Sequence, residues 1–137
     1  AGKRFRRGGS GSPAVRVAVA RSQAVSASFG LVGLGKMGGS MAQRLLRGGH
    51  RVAVYDLAEE AVAELEREGA TGASELSALV SGLAAPRVVW LMLPAGGPTE
   101  RVFSEALELL EPGDLIVDGA NSHWPEALER AERAGAK

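Results

Sequence analysis

FGLVGLGKMGGSMAQRLLRGGHRVAVYD, residues 29–56, joins an apolar run, several glycines, a helix-like stretch and a second apolar run that ends on an acid. Inside it, GLGKMG at residues 33–38 has the spacing G-x-G-x-x-G. The first glycine follows a predicted strand and the third lies in the start of an amphipathic helix, which is the context that a dinucleotide-binding turn requires. In a chain with 19 glycines the spacing alone is weak, so the neighbouring residues decide its interpretation.

Each glycine of this motif has its own physical role. Gly33 permits a tight turn, Gly35 lets the backbone approach a pyrophosphate, and Gly38 lets the helix pack closely on the strand. The free N–H groups and the partial positive charge of the helix N-terminus favour a phosphate there. The motif therefore predicts a dinucleotide site.

Asp56 supplies the acid that such a site needs at the end of the second strand, about 20 residues beyond the turn. Its carboxylate is predicted to accept hydrogen bonds from the adenosine ribose hydroxyls; the alternative is that it only caps the end of a strand. A carboxylate repels a 2′-phosphate, and no arginine follows in DLAE, residues 56–59. The cofactor is therefore NAD or NADP, with NAD favoured.

The rest of the chain from residue 29 repeats the same alternation. Apolar runs occur in FGLVGLG, RVAVYD, RVVWLMLP and DLIVDGA, with a weak strand expected in GATGA. Continuous apolar strands predict burial on both faces, as in a parallel sheet covered by helices. The expected fold is α/β, a Rossmann-like doubly wound parallel sheet in a single domain, which binds ligands at the carboxyl ends of its strands.

Helical spacing predicts which side chains face the core. Met37, Met41 and Leu45 recur every four residues and are expected to pack inward. A last helix from about residue 125 is expected to turn Leu128 and Ala131 inward.

Composition excludes several classes of protein. The chain has 137 residues, enough for one domain with a core. It has no cysteine and only two histidines, so we expect neither a disulfide framework nor a metal centre. No apolar stretch approaches the ~20 residues that span a membrane, and we expect no membrane or nucleic-acid partner for the folded part.

Residues 1–28 differ from the rest of the chain. They hold six basic residues and no acid, whereas the remainder holds ten basic residues and all sixteen acids. Three interpretations stay open: a disordered leader outside the fold, which composition favours, an organelle-targeting segment, or a basic binding arm. We expect a cytoplasmic protein unless this segment is an address.

Residues 29–137 resemble a known family in the order, spacing and wording of four stretches. These are the glycine turn, the second strand with its acid, LAAPRVVWLMLPAGGPTE and EPGDLIVDGANS. They are similar to the N-terminal domain of decarboxylating 6-phosphogluconate dehydrogenase, within the β-hydroxyacid dehydrogenases. LPAG resembles the shorter-chain branch of that family, since the longer-chain branch usually has lysine where Pro94 stands.

The resemblance implies roles for matching positions. Those that would bind the cofactor are Gly33, Leu34, Gly35, Lys36, Met37 and Gly38 at the pyrophosphate, Asp56 at the ribose, and Leu93, Pro94 and Ala95 along the cleft. Asn121 would lie near the nicotinamide and the substrate. The family usually has a second glycine where Ala120 stands.

The family reaction transfers hydride from C3 of 6-phosphogluconate to the nicotinamide, and the β-keto acid then loses carbon dioxide to give ribulose 5-phosphate. Its base is a lysine and its acid a glutamate, both in or beyond a long helix after the nucleotide domain, and an S-G-G loop binds substrate. This chain has no S-G-G, and its lysines are Lys3, Lys36 and Lys137. We therefore expect the cofactor half of the enzyme without catalytic residues.

Three interpretations of function remain. The first is part of a 6-phosphogluconate dehydrogenase-like enzyme, truncated at its C-terminal end and inactive in isolation, with a sugar-acid phosphate as substrate of the full-length enzyme. The second is a 3-hydroxyisobutyrate-type dehydrogenase, disfavoured because those enzymes usually carry serine and threonine where DGANS stands. The third is a stand-alone dinucleotide-binding module. An exposed sheet edge at the end of the domain would favour association, for example as a homo-oligomer.

Overall fold

The computed structural model describes residues 27–136, so the first 26 residues of the basic segment lie outside the described part. In this part, five strands alternate with five helices. Their bounds are β1 Ser28–Val32, α1 Lys36–Arg47, β2 Arg51–Tyr55, α2 Glu59–Arg67, β3 Thr71–Gly72, α3 Leu76–Ser81, β4 Val88–Leu91, α4 Gly97–Leu109, β5 Leu115–Asp118 and α5 Trp124–Gly135.

The strands form one parallel sheet in the order β3-β2-β1-β4-β5. The chain proceeds from β1 outward to β3, crosses back over the sheet, and proceeds outward again through β4 to β5. The strand order therefore reverses between β1 and β4, which is where open α/β sheets bind ligands. The predicted Rossmann-like doubly wound sheet is confirmed.

Two apolar layers hold the helices on the sheet. On one face, β-strand residues pack with Leu79 of α3 and Phe103 of α4. On the other, Leu31 and Val54 pack with Ala42 of α1 and Leu65 of α2. Helices α1 and α2 therefore cover one face and α3 and α4 the other.

The glycines after α1 end that helix. Gly49 has a φ of +82°, in the left-handed region where glycine is favoured.

In the described part of the chain, no helix is long and apolar enough to cross a bilayer.

Burial differs from the sequence prediction at three places. Met37 is 70% exposed, because it lies in the first turn of α1, beyond the sheet edge. Leu115 is 54% exposed and the rest of β5 is only half-buried, because β5 is an edge strand. In α5, Leu128 is 45% exposed and Ala131 is exposed, whereas Arg130 is buried. The residue that α5 buries is therefore a charged one.

A buried acid shapes the turn before β5. Asp114, whose side chain is 3% exposed, accepts hydrogen bonds from the Arg87 N–H at 2.7 Å, the Glu111 N–H at 2.9 Å and the Arg87 guanidinium at 3.0 Å. Burial alone would raise the pKa of the Asp114 carboxyl, but these hydrogen bonds together hold that pKa below its ordinary value.

Acid is therefore expected to destabilise the wild-type chain more than the variant Asp114→Asn. Because the folded-state pKa of Asp114 is lowered, its stabilisation is present above the unfolded pKa of about 3.9 and is lost as the pH falls through the folded-state value. Urea midpoints measured from about pH 7 down to about pH 2 test this. Glu111→Gln is the control, since Glu111 also pairs with Arg87 but is 73% exposed. Identical acid profiles for wild type and Asp114→Asn would contradict the prediction.

Candidate functional site

The turn after β1 is built so that only glycine fits its first position. Gly33 has a φ of +93°, and its N–H donates to the Tyr55 carbonyl at 3.0 Å. A Cβ on Gly33 would lie 2.4 Å from the carbonyl oxygen of Met92, at the end of β4. The turn thus lies between the ends of β2 and β4 and is in close contact with both.

Gly38 brings α1 directly onto this turn. A Cβ at Gly38 would lie 1.9 Å from the carbonyl oxygen of Gly33, a distance that no side chain can occupy. This close approach directs the N-terminus of α1 over the carboxyl end of the sheet.

Gly35 faces open space. Apart from its chain neighbours, no heavy atom of the described residues lies within 4 Å of a Cβ built on Gly35. It is the N-cap of α1 and offers no side chain to the first-turn N–H groups, and Lys36 and Met37 beside it are exposed. A cavity of about 360 Å³ adjoins it, lined by Leu34, Gly35, Lys36, Gly39, Ser40, Gln43, Ala61, Glu64 and Leu65. This arrangement suits a phosphate held by backbone amides.

Asp56 points toward the glycine turn. Its Oδ2 accepts the Leu34 N–H at 2.6 Å, and its Oδ1 accepts the Ala58 N–H at 2.8 Å. The carboxylate is half-buried and borders a cavity of about 520 Å³ at the carboxyl ends of β2 and β3, with Leu57 and Glu59 also on its wall. Asp56 therefore links the second strand to the turn and still faces space for a ligand.

The loop after β4 is held by a residue that the sequence prediction missed. Thr99 is fully buried, and its hydroxyl donates to the Pro94 carbonyl at 2.7 Å. Leu93 is half-buried, whereas Pro94 and Ala95 are exposed on the same edge of the sheet as the glycine turn. The sequence has no pattern that marks this threonine, which follows GGP at residues 96–98.

The loop after β5 carries Asn121, which is exposed. Asp118 Oδ1 accepts the Ala120 N–H at 3.0 Å. In the described part of the chain only glycines have positive φ, so Ala120 needs no left-handed backbone. This loop favours glycine at Gly119, since a Cβ there would lie 2.3 Å from Met92 Sδ, 2.6 Å from Trp90 Nε1 and 3.0 Å from the Leu91 carbonyl oxygen.

All the predicted positions thus lie on one edge of the sheet, at the carboxyl ends of its parallel strands. Asp56 follows β2 on one side of the central turn, and the loop with Asn121 follows β5 on the other. Strands β2 and β5 are three strand spacings apart, about 14 Å. The edge can therefore accommodate an extended ligand with its anionic centre at the turn.

Comparison with known proteins identifies a family that the chain matches. Residues 28–137 match the family described as the NAD binding domain of 6-phosphogluconate dehydrogenase. The chain is 39% identical over 108 residues to an NAD(+)-dependent, decarboxylating 6-phosphogluconate dehydrogenase of Haloferax volcanii, covering 79% of this chain and 36% of that protein. It is 36% identical over 114 residues to an enzyme of the same description from Bacillus subtilis, covering 80% and 24% respectively.

Solved structures of two different dehydrogenases have a similar fold. A 3-hydroxyisobutyrate dehydrogenase of Mycobacterium tuberculosis superposes with a TM-score of 0.74 at 27% identity, covering 81% of this chain and 37% of that one. A 6-phosphogluconate dehydrogenase of Plasmodium falciparum superposes with a TM-score of 0.72 at 28% identity, covering 80% and 25%. The chain thus spans roughly a third or less of the length of these curated relatives.

Proposed function

This chain belongs to the family of NAD-binding domains of 6-phosphogluconate dehydrogenase, and we propose that it binds the dinucleotide across the carboxyl edge of its sheet. The observation that carries the proposal is the 2.6 Å hydrogen bond between Asp56 Oδ2 and the Leu34 N–H. It brings the carboxylate that we propose for the ribose to the glycine turn, so that both could contact one ligand.

The pyrophosphate would lie against residues 33–38. Open space at Gly35 lets a phosphate reach the backbone, and the first-turn N–H groups of α1 would donate to its oxygens. The ammonium of Lys36, exposed in that turn, would add a positive charge. Phosphate binding here would therefore depend mainly on backbone groups.

The adenosine ribose would be bound by Asp56, with NAD preferred over NADP. The carboxylate accepts hydrogen bonds from ribose hydroxyls and repels a 2′-phosphate. Two similar enzymes are described as NAD(+)-dependent, whereas the Plasmodium falciparum enzyme was solved with NADP+. The residues of this chain favour the former behaviour, since Leu57 and Ala58 offer no positive charge to a 2′-phosphate.

The nicotinamide would lie on the β4–β5 side, along Leu93, Pro94 and Ala95, with Asn121 beside it and the substrate. Bound NAD would supply a hydride acceptor there. The three lysines of the chain are Lys3, Lys36 and Lys137. Lys36 lies at the phosphate turn and the other two outside the described residues, so we propose that the chain binds the cofactor without supplying the catalytic base.

For the full-length protein we propose oxidative decarboxylation of 6-phosphogluconate, because DGANS, residues 118–122, resembles that branch at every position except Ala120. A 3-hydroxyisobutyrate-type activity is the second candidate, favoured by the TM-score of 0.74 to that dehydrogenase. A stand-alone binding module, a cytoplasmic location and a homo-oligomer stay predictions from the sequence.

Calorimetry with NAD and ADP-ribose tests the proposed function on the purified chain. We expect both to bind, and we expect no NADH when NAD and 6-phosphogluconate are supplied together. If neither NAD nor ADP-ribose gives a heat of binding, the binding proposal is overturned. Sustained NADH formation would instead show that the chain carries a catalytic base.

A further inference from the structure

Arg130 is the one charged residue that is buried as a whole in the part of the chain that the structure describes, with only 3% of its surface exposed. It lies on α5, where helical spacing predicts apolar contacts. Burying a guanidinium is unfavourable unless its donors are well paired. The groups that pair with the Arg130 guanidinium therefore show which parts of the fold this residue holds together.

Those partners lie on both sides of the loop after β5. Arg130 Nη1 donates to Asp118 Oδ2 at 2.9 Å and to Ser122 Oγ at 3.3 Å. Its Nε donates to Glu100 Oε2 on α4 at 3.4 Å, and its Nη2 pairs with Glu126 Oε2 at 3.5 Å. One guanidinium thus ties the end of β5, the loop and α4 together.

The loop so held is the one that carries Asn121. Asp118 and Ser122 flank it, and the second oxygen of Asp118 holds the Ala120 N–H at 3.0 Å. Both ends of residues 118–122 are therefore fixed to the same side chain. Nη1 serves both ends of the loop, while Nε and Nη2 pair with Glu100 and Glu126, a spread of donors that the single nitrogen of a lysine ammonium does not offer.

We propose that Arg130 is a positioning residue, which fixes residues 118–122 so that Asn121 is presented to the nicotinamide half of the cofactor. This inference rests on the proposed function, since it assumes that a dinucleotide lies on this edge of the sheet. Arg130 itself would not contact the ligand; it acts through the loop.

Arg133 provides a matched control on the same helix. Its guanidinium pairs with Glu100 and donates to Ser104 Oγ at 2.8 Å, and it lies 5.3 Å from the centre of the Phe103 ring. The hydrogen bond from Arg133 holds the pKa of Glu100 below its ordinary value. Arg133 therefore has the same charge as Arg130, lies on the same helix and shares the partner Glu100. Within the described residues, its hydrogen bonds, ion pair and ring contact are with α4 and not with the loop.

The test compares NADH with ADP-ribose, which lacks the nicotinamide. In Arg130→Gln we expect NADH binding to weaken by roughly threefold to tenfold while ADP-ribose binding stays within about twofold. The NADH affinity of Arg130→Lys should fall between those of wild type and Arg130→Gln. Arg133→Gln should leave the ratio of the NADH and ADP-ribose dissociation constants unchanged. The fluorescence of bound NADH gives a second readout of the nicotinamide environment.

A double-mutant cycle tests whether the effect passes through Asn121. Asn121→Ala should itself weaken NADH selectively, and adding Arg130→Gln to it should have little further effect. Equal weakening of NADH and ADP-ribose in Arg130→Gln, or a full additional loss in the double variant, would overturn the proposal. If Arg130→Gln does not fold, Ser122→Ala and Asp118→Asn remove single contacts of Arg130 and are measured in the same way.

The failure of the two proposals can be distinguished. A wild-type chain that binds neither NADH nor ADP-ribose contradicts the proposed function, and the role of Arg130 falls with it. A wild-type chain that binds both, with an unchanged ratio in Arg130→Gln, contradicts only the positioning role.

Discussion

Replacing Gly38 by alanine is expected to lower the free energy of unfolding by about 3 kcal/mol and to abolish detectable NAD binding. The new methyl group would lie 1.9 Å from the Gly33 carbonyl oxygen, which belongs to the backbone and cannot rotate away. Helix α1 would have to move off the turn, and its N-terminal amides would leave the position proposed for the phosphate. In a domain of this size the melting temperature should fall by roughly 10–20 °C.

Gly39→Ala is the control for that prediction, because it adds the same methyl group one residue further along α1. A Cβ at Gly39 would lie 3.4 Å from the Leu34 carbonyl oxygen, which is at the limit of ordinary contact. Alanine also gains up to about 1 kcal/mol of helix propensity over glycine. We expect an unchanged or higher melting temperature, measured by circular dichroism. Equal losses in the two variants would show that close packing at Gly38 is not the cause.

NAD is expected to bind about tenfold or more tightly than NADP, and Asp56→Asn is expected to remove most of that preference. The carboxylate would face the 2′-phosphate of NADP, and the asparagine amide would keep the size of the side chain without its charge. Asparagine can replace only one of the two acceptors that hold the Leu34 and Ala58 N–H groups, so NAD itself should bind more weakly as well.

Glu59→Gln separates this effect from general charge removal. Glu59 borders the same cavity as Asp56 but is exposed and lies in the first turn of α2. Both variants are titrated calorimetrically with NAD and NADP. The ratio of the two dissociation constants should change for Asp56→Asn alone. Tighter binding of NADP than of NAD by the wild-type chain would contradict the role given to Asp56.

The fold could be predicted from sequence because its signals are local. Apolar runs, a glycine turn and helix stops such as Gly49 each act within a few residues, and their alternation permits few topologies. The inward face of α5 could not be predicted in this way. Arg130 is buried because Asp118, Ser122 and Glu100, which lie 12, 8 and 30 residues away, meet it in space.

For the candidate site, the sequence predicts the close contacts of the glycine turn, whereas the ligand-binding roles stay predictions. The motif identified Gly33 and Gly38, whose close approaches the structure describes. It gave no sign of Thr99, because a buried hydroxyl that holds a loop carbonyl has no sequence pattern of its own. Met37 was assigned to the core because helical spacing does not tell where a helix extends past its sheet.

The two backbone hydrogen bonds to Asp56 have a consequence for the thermodynamics of recognition. Because its oxygens already hold the Leu34 and Ala58 amides, the rotamer of this side chain is chosen when the chain folds. A ribose would therefore meet an acceptor that is already ordered. Ordering such a side chain costs roughly 0.5–1.5 kcal/mol, and here that cost would be part of folding and would not reduce the free energy of binding.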